Sequence, residues 1–238
     1  MGRRPIVRRR GRSPKFWAAT HRKAGPAKYP LPKDGGEAYA GGKILDLIHD
    51  PGRGGPLALI KSDGESFLTV AAEGSYVGQD VYIGHPAESK IGDIAKVGTV
   101  PEGRMIFNIE RRPGDGGALF RSSGNYAVVV SRNPDGTVTL KDSKGRLFTS
   151  DPRCLATLGV AAGGGRTEKP FLRAGPVTKL MRSRKRVYPV VRGVAMISAY
   201  HVHGGGRHQH VGGPSSVSRR APPGAKVGLI APRRAGRR

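Results

Sequence analysis

The stretch HVHGGGRHQH (201–210) places His201, His203, His208 and His210 around Gly204, Gly205 and Gly206, with Arg207 among them. Imidazoles at this density suggest three chemistries. Paired H-x-H units supply ring nitrogens of the kind that hold zinc, nickel or copper. Structural zinc sites ordinarily add sulfur ligands, however, and the one cysteine, Cys154, is far off in sequence. No Asp or Glu follows Glu168, so the stretch has neither a carboxylate ligand nor an anchor for a ligating histidine. A histidine-dependent nuclease meets the same difficulty, because a nucleophile, a carboxylate or a metal must stand beside the imidazole. The third chemistry is contact with RNA, in which polar rings stack on bases and bare glycine backbone comes close. The sequence favours this last reading, with no catalytic residue, no metal and no cofactor.

Two further stretches have the same character. AAGGGRTEKP (161–170) resembles a phosphate-binding loop without being a Walker motif, since Arg166 stands where the lysine belongs and Val160 where a glycine belongs. Gly163, Gly164 and Gly165 would let backbone approach phosphate or sugar, with Arg166 and Lys169 neutralising charge; a merely flexible loop is the alternative. RRRGRSPKFW (8–17) interleaves Arg8, Arg9, Arg10 and Arg12 with Phe16 and Trp17. Guanidinium planes and aromatic rings both accept an unstacked base, whereas the bland alternative is a solvated basic arm. Arg173, Arg192, Arg219 and Arg220 complete the expected phosphate contacts. In PGDGG (113–117) the glycines suit a tight turn, and Asp115 is expected to pair with Arg111, Arg112 or Arg121.

The elements that must position these residues follow from charge and pattern. The 238 residues carry 42 Lys and Arg against 17 Asp and Glu, a formal net charge of +25, which calls for a polyanionic partner. Nucleic acid leads, because no apolar run is long enough to span a membrane and the Gly- and Pro-rich basic segments are poor amphipathic helices. The basic start lacks the apolar core of a secretory signal, and a single cysteine fits a reducing cytoplasm with Cys154 as a buried small hydrophobe. Charge divides the chain into four parts: 1–36 at +10, 37–110 at −5, 111–191 at +11 and 192–238 at +9. Segment 37–110 has five short apolar runs, KILDLIH (43–49), GPLALIK (55–61), SFLTVAA (66–72), DVYIG (80–84) and RMIFNIE (104–110), separated by turn formers. RMIFNIE alternates apart from Ile106, the pattern of a half-buried strand. Closure into a small barrel would remove exposed edges.

Segment 111–191 repeats the theme. YAVVVSRNPDGTVTLKDSKGRLFTS (126–150) is a meander with turns at NPDG and DSKG, and CLATLGV (154–160) adds a strand. A second barrel follows, and then TKLMRSRKRVY (178–188) reads as a short basic helix. The ends, 1–36 and 192–238, lack apolar periodicity and are expected to be disordered alone and extended when bound. The acidic segment is expected to lie away from RNA or to face basic partners. Besides a nuclease, a generic DNA-compacting protein is the competing class.

The blocks NIERRPGDGGALFRSSGNYA (108–127), GGGRTEKPFLRAG (163–175), VRGVAM (191–196), HGGGRHQH (203–210) and SVSRRAPPGAKVGLIA (216–231) occur in this order. Together they resemble the universal large-subunit ribosomal protein family "L-two", in its archaeal form. The resemblance implies an OB-like barrel followed by an SH3-like barrel, flanked by basic extensions. It implies a non-enzymatic constituent of the cytoplasmic ribosome that binds large-subunit rRNA, supports the peptidyl-transferase region and contributes to subunit association. Implied partners are other ribosomal proteins and the small subunit, without membrane or self-association. This chain departs from the family pattern in RGVAMISAYHVHGGG: Ile197, Tyr200 and Val202 replace an Asn, an Asp and a Pro. Loss of that Asp removes a carboxylate beside His201, which favours packing against RNA over a catalytic role.

Overall fold

The computed structural model describes residues 13–17, 20, 22–30, 40–84 and 90–233. Arg8, Arg9, Arg10 and Arg12 lie outside the described residues. The chain divides into two units, a body within residues 20–172 and a second unit within residues 1–19 and 173–238.

The body is mainly β, with an OB-like barrel followed by an SH3-like one. Strands β1 (Ala40–Ile48), β2 (Leu57–Ser62), β3 (Glu65–Val70), β4 (Asp80–Ile83), β5 (Ile94–Lys96) and β6 (Met105–Phe107) come first. Then follow β7 (Ala127–Arg132), β8 (Val138–Asp142), β9 (Leu147–Ser150) and β10 (Leu155–Leu158). All ten form one sheet in the order β3-β2-β1-β4-β5-β10-β6-β7-β8-β9. The long β1 pairs antiparallel with both β2 and β4, while β7, β8 and β9 form the expected meander. Register shifts in β1 and β7 leave the intervening Leu45 and Val130 outside the regular pairing, and both side chains are exposed. Bulges of this kind bend a strand and increase its twist, as a closing sheet requires.

The middle of this sheet is covered on both faces. In β6, Ile106 enters a cluster with Val129, Leu140, Ala156 and Leu158, whereas its neighbour Phe107 enters another with Leu57, Val70 and Ala161. Successive strand residues point to opposite faces, so a strand buried on both sides has no polar face to alternate with. The half-buried strand expected over 104–110 is therefore corrected: residues 106–110 are all buried, including Asn108 and Glu110. Glu110 is satisfied by two backbone amides, Gly116 N–H to Oε1 at 2.9 Å and Leu155 N–H to Oε2 at 2.8 Å. Strand β5 escaped the sequence reading, being three residues long. Its Ala95, with Val97 and Val100 after it, packs into the same cluster as Ile106. A third cluster, around Ile44, Ala58, Ile60 and Val81, fills the space between β1, β2 and β4.

Residues 22–30 differ from the free arm expected before residue 37. Ala27 and Tyr29 are buried, and the segment is tied to the body along its length. Lys28 N–H donates to Leu68 O, and Tyr29 N–H donates to Gly116 O. Arg53 donates to Gly25 O at 2.8 Å and also pairs with the buried Asp50 carboxylate, while Arg121 donates to Ala27 O. The Tyr29 hydroxyl donates to Asn108 O at 2.8 Å and lies 2.6 Å from Thr157 Oγ1. Burial pushes this phenol far above its usual range.

The second unit contains helix α1 (Ala174–Ser183), a 3-10 turn at Gly193–Ala195 and a short parallel pair, β11 (Ser216–Val217) with β12 (Leu229–Ile230). The helix begins four residues before the expected 178 and ends before the expected 188. Pro176 falls in its first turn, where the missing N–H has no intrahelical partner to lose. At its end Lys185 takes a positive φ of 54°, and the Arg186 N–H turns back to Met181 O. Apolar side chains find little cover here: Val227 is buried, but Val190, Ile197, Tyr200, Val202 and Leu229 are exposed.

Candidate nucleic-acid interface

In the body, Arg166 is aimed rather than loose. Its Nε and Nη2 donate to Ser123 Oγ at 3.2 and 3.0 Å. Its guanidinium lies flat against Gly54, where a Cβ would stand 3.0 Å from Arg166 Cζ. The side chain nevertheless remains exposed, so its second face is open to a ligand.

The glycines behind Arg166 serve the protein's own packing. A Cβ on Gly124 would stand 2.8 Å from the Gly164 Cα, and one on Gly55 would stand 2.8 Å from Ala162 O. Gly163 has a φ of +82° and abuts Ser123 and Gly55. Three loops thus meet backbone to backbone, which only glycine permits. Lys169 is exposed beyond this junction, and Gly165 accepts a turn bond from the Glu168 N–H. Asp115, expected to pair with an arginine, instead accepts backbone N–H groups: Arg111 and Arg112 on Oδ2, Gly117 on Oδ1. A short acidic side chain in a turn satisfies nearby amides more readily than a mobile guanidinium.

In the second unit the histidines separate into two pairs. The His201 and His203 rings meet edge to face with centroids 5.0 Å apart, and the His203 N–H donates to His201 Nδ1 at 3.0 Å. That bond assigns Nδ1 as the acceptor, which leaves Nε2 to carry the proton of neutral His201. The ring lies directly on Gly193, where a Cβ would come within 2.2 Å of it. His208 and His210 occupy the following turn, where the His210 N–H donates to His208 O. Both are exposed.

Gly204 sits under the carbonyls of Met196 and Ile197, and Gly205 N–H donates to Met196 O. Gly205 and Gly206 both have positive φ. Arg192 reaches across the loop to Gln209 Oε1 at 3.0 Å. Arg173 caps α1 without a side-chain bond to it, and Arg207, Arg219 and Arg220 are exposed. Phe16 ends a short 3-10 turn and Trp17 follows it, 58% exposed. Among the described residues no group of three or more His, Cys, Asp or Glu is arranged to hold a metal ion.

Sequence reasoning singled out the cations and missed their seats. Ser123 and Gly54 for Arg166, Gln209 for Arg192 and Gly193 for His201 are contacts made by the fold, and no spacing announces them. Charge distribution is the stronger signature. Residues 1–19 and 173–238, the second unit, hold seven and fifteen Lys or Arg and not one Asp or Glu. With no carboxylate side chain in its own unit, this charge must be answered from elsewhere.

Comparison with known proteins meets these observations at both ends of the chain. The family model for Ribosomal Proteins L2, RNA binding N-terminal domain, matches residues 4–83, and that for Ribosomal Proteins L2, C-terminal domain, matches residues 90–225. The chain is 49% identical to the large ribosomal subunit protein uL2 of Desulfurococcus amylolyticus, over 100% of this chain and 99% of the relative. It is 46% identical to the uL2 proteins of Pyrobaculum neutrophilum and Methanothermobacter thermautotrophicus, again over all of this chain and over 96% and 100% of theirs. A β body with carboxylate-free cationic ends, matched along its full length in this way, belongs to the ribosomal protein L2 family.

Proposed function

We propose that this protein is a non-enzymatic, rRNA-binding constituent of the archaeal large ribosomal subunit that supports the peptidyl-transferase region and contributes to subunit association. The family and the full-length relatives support the large-subunit, rRNA-binding role. One observation of this chain carries the reading further: the second unit concentrates 22 cationic side chains without a single Asp or Glu, and among its described residues the one buried apolar side chain is Val227. Such a segment is stabilised by neutralising phosphate, and its reach suits it to enter RNA where a barrel does not fit. Arg166, Lys169, Arg173, Arg192, Arg207, Arg219 and Arg220 provide phosphate contacts. His201, His203, His208, His210, Phe16 and Trp17 provide stacking surfaces, with Arg8, Arg9, Arg10 and Arg12 extending the footprint. The barrels act as the rigid base. The family's Asp is missing beside His201, so the histidines position RNA and do not transfer protons.

The test is a titration of full-length protein with an rRNA fragment spanning the peptidyl-transferase domain, and with duplex DNA, at matched salt. For six to ten phosphates neutralised, affinity for the fragment should fall by roughly 10³–10⁵ between about 50 and 200 mM salt. Arg166→Ala and Arg192→Ala should each reduce the log–log slope by about one. A flat salt response, or equal affinity for duplex DNA, overturns the reading.

A further inference from the structure

One face of the body is unlike the rest of this cationic protein. Tyr76, Tyr82, Ile91 and Met105 are exposed by 64, 47, 54 and 46%. They line two adjoining grooves of about 450 and 560 Å³ that meet at Ile91 and Arg104. Exposed apolar side chains scattered singly are ordinary, but a contiguous group with polar rims marks an interaction surface. Tyrosine and methionine are also the side chains enriched at the centres of protein interfaces.

The face is built in advance rather than assembled from loose loops. Gln79 bridges its two sides, donating from Nε2 to Ile91 O at 2.6 Å and accepting the Tyr76 N–H on Oε1. The buried Asp93 carboxylate accepts the Tyr82 and Lys90 N–H groups at 2.9 and 2.6 Å. Behind Met105, the Gly159 N–H donates to Met105 O. Gly159 itself, with a φ of +108°, has Ile91 Cγ2 only 3.1 Å from where a Cβ would stand. A surface already held in place loses little conformational entropy when it binds.

Charge selects the occupant. The exposed carboxylates of Glu73 and Asp80 line the grooves, Asp80 with Lys43 Nζ 4.0 Å from it. Lys90 and Arg104 also border them, so the face offers both signs beside apolar surface. A phosphate backbone laid here would meet the Glu73 and Asp80 carboxylates. A polypeptide with Lys or Arg between apolar residues meets partners for every group it carries, including tyrosine faces for a guanidinium. We infer that this groove binds an extended cationic–apolar segment of another protein of the large subunit. The inference rests on the proposed place of this protein in that particle.

The experiment places a photo-cross-linking residue, p-benzoylphenylalanine, at Tyr76, at Met105 and, as a separate arm, at Tyr200 of the full chain in intact large subunits. After irradiation and digestion, mass spectrometry reads what is attached. Adducts at Tyr76 and Met105 should carry Lys- or Arg-containing peptides of another subunit protein. An rRNA adduct at these two positions, an adduct to this chain itself, or none at all overturns the inference. The Tyr200 arm should yield rRNA, and its failure counts against the rRNA-binding reading whatever the groove does. As a second measurement, subunits carrying Tyr76→Ser with Ile91→Ser should retain the cross-linked partner at least roughly tenfold less well. The same variant should bind the rRNA fragment with unchanged affinity. Undiminished partner retention, or weakened RNA binding, overturns the assignment of this face.

Discussion

Tyr29→Phe isolates the contribution of one hydroxyl to the attachment of residues 22–30. In the native protein that group donates to Asn108 O at 2.8 Å and lies 2.6 Å from Thr157 Oγ1, with the tyrosine 4% exposed. Phenylalanine keeps the ring and leaves two buried polar groups short of a partner, a loss of about 1–3 kcal/mol. Tyr29→Ala also empties the space the ring fills, raising the loss to about 3–5 kcal/mol. With a urea m-value of about 2 kcal/mol/M, the phenylalanine variant should unfold at a midpoint lower by roughly 0.5–1.5 M.

The segment is also held at other points by Arg53 and Arg121, so a change in its attachment is best read as local opening. Trypsin cleavage after Lys28 reads that local opening, and a loss of one or two kcal/mol should speed it by about 5–30-fold. The alkaline limb gives an independent check. Burial raises the folded phenol above its ordinary value, so the unfolded chain releases the proton first. Stability from this group is therefore complete below pH about 10 and declines as pH rises above it. The wild-type minus Tyr29→Phe difference should shrink over that range. An unchanged urea midpoint together with unchanged cleavage after Lys28 would refute the reasoning that this segment belongs to the body.

Substitutions at two other positions test the site and its support. Glu110→Ala leaves the Gly116 and Leu155 amides without their buried acceptor, at about 1–3 kcal/mol each, so the melting temperature should fall by several degrees; Glu110→Gln, which keeps one acceptor oxygen, should lose about half as much. Gly193→Ala forces the His201 ring from its seat, because the new methyl would lie within 2.2 Å of it. The ring resonances of His201 and His203 should shift and rRNA affinity should fall, while the melting temperature of the body stays unchanged. Unshifted His201 resonances would contradict the geometry of that loop.

The β character of the body is legible in the sequence because turn formers interrupt short apolar runs, and β1 to β4 and the β7–β9 meander lie where those runs are. What escapes is where two environments share one strand. RMIFNIE alternates well enough to suggest one wet face, yet Ile106 and Phe107 serve different clusters, and the polar Asn108 and Glu110 turn inward to amides and hydroxyls. A pattern of hydrophobicity reports burial by oil, and these two residues are buried by hydrogen bonds. The attachment of residues 22–30 escapes for a related reason, since backbone donors and carbonyls do most of the holding and every sequence has them. Asp115 shows the same preference for amides over a guanidinium. The charged side chains of the candidate site were legible one by one, because cations next to glycine and aromatic residues are a compositional signal. Their orientation was not, since Ser123, Gly54, Gln209 and Gly193 are brought to them by folding.

The division of charge explains why the protein needs both kinds of structure. The body, residues 20–172, holds all 17 Asp and Glu against twenty Lys and Arg, so it can fold with little self-repulsion. The second unit has the opposite condition: hydrogen-bonded turns and scarcely any apolar interior among its described residues, with positive charge that no Asp or Glu of the unit offsets. Placed in one mixed sequence, the same residues would neutralise one another and leave weak affinity for a polyanion. Segregated, they leave the ends with positive charge for a polyanion to neutralise and leave the body without that need. Arg166 stands on the body with its guanidinium held by Ser123 and against Gly54, so the phosphate contact proposed for it would be preorganised before the ends engage. Binding should then begin at the rigid surface and spread into the carboxylate-free unit, with the ordering cost of the ends offset as each phosphate is met. Arg166→Ala should accordingly slow association with rRNA more than it speeds dissociation. The opposite result, a change confined to the dissociation rate, would place Arg166 among the late contacts.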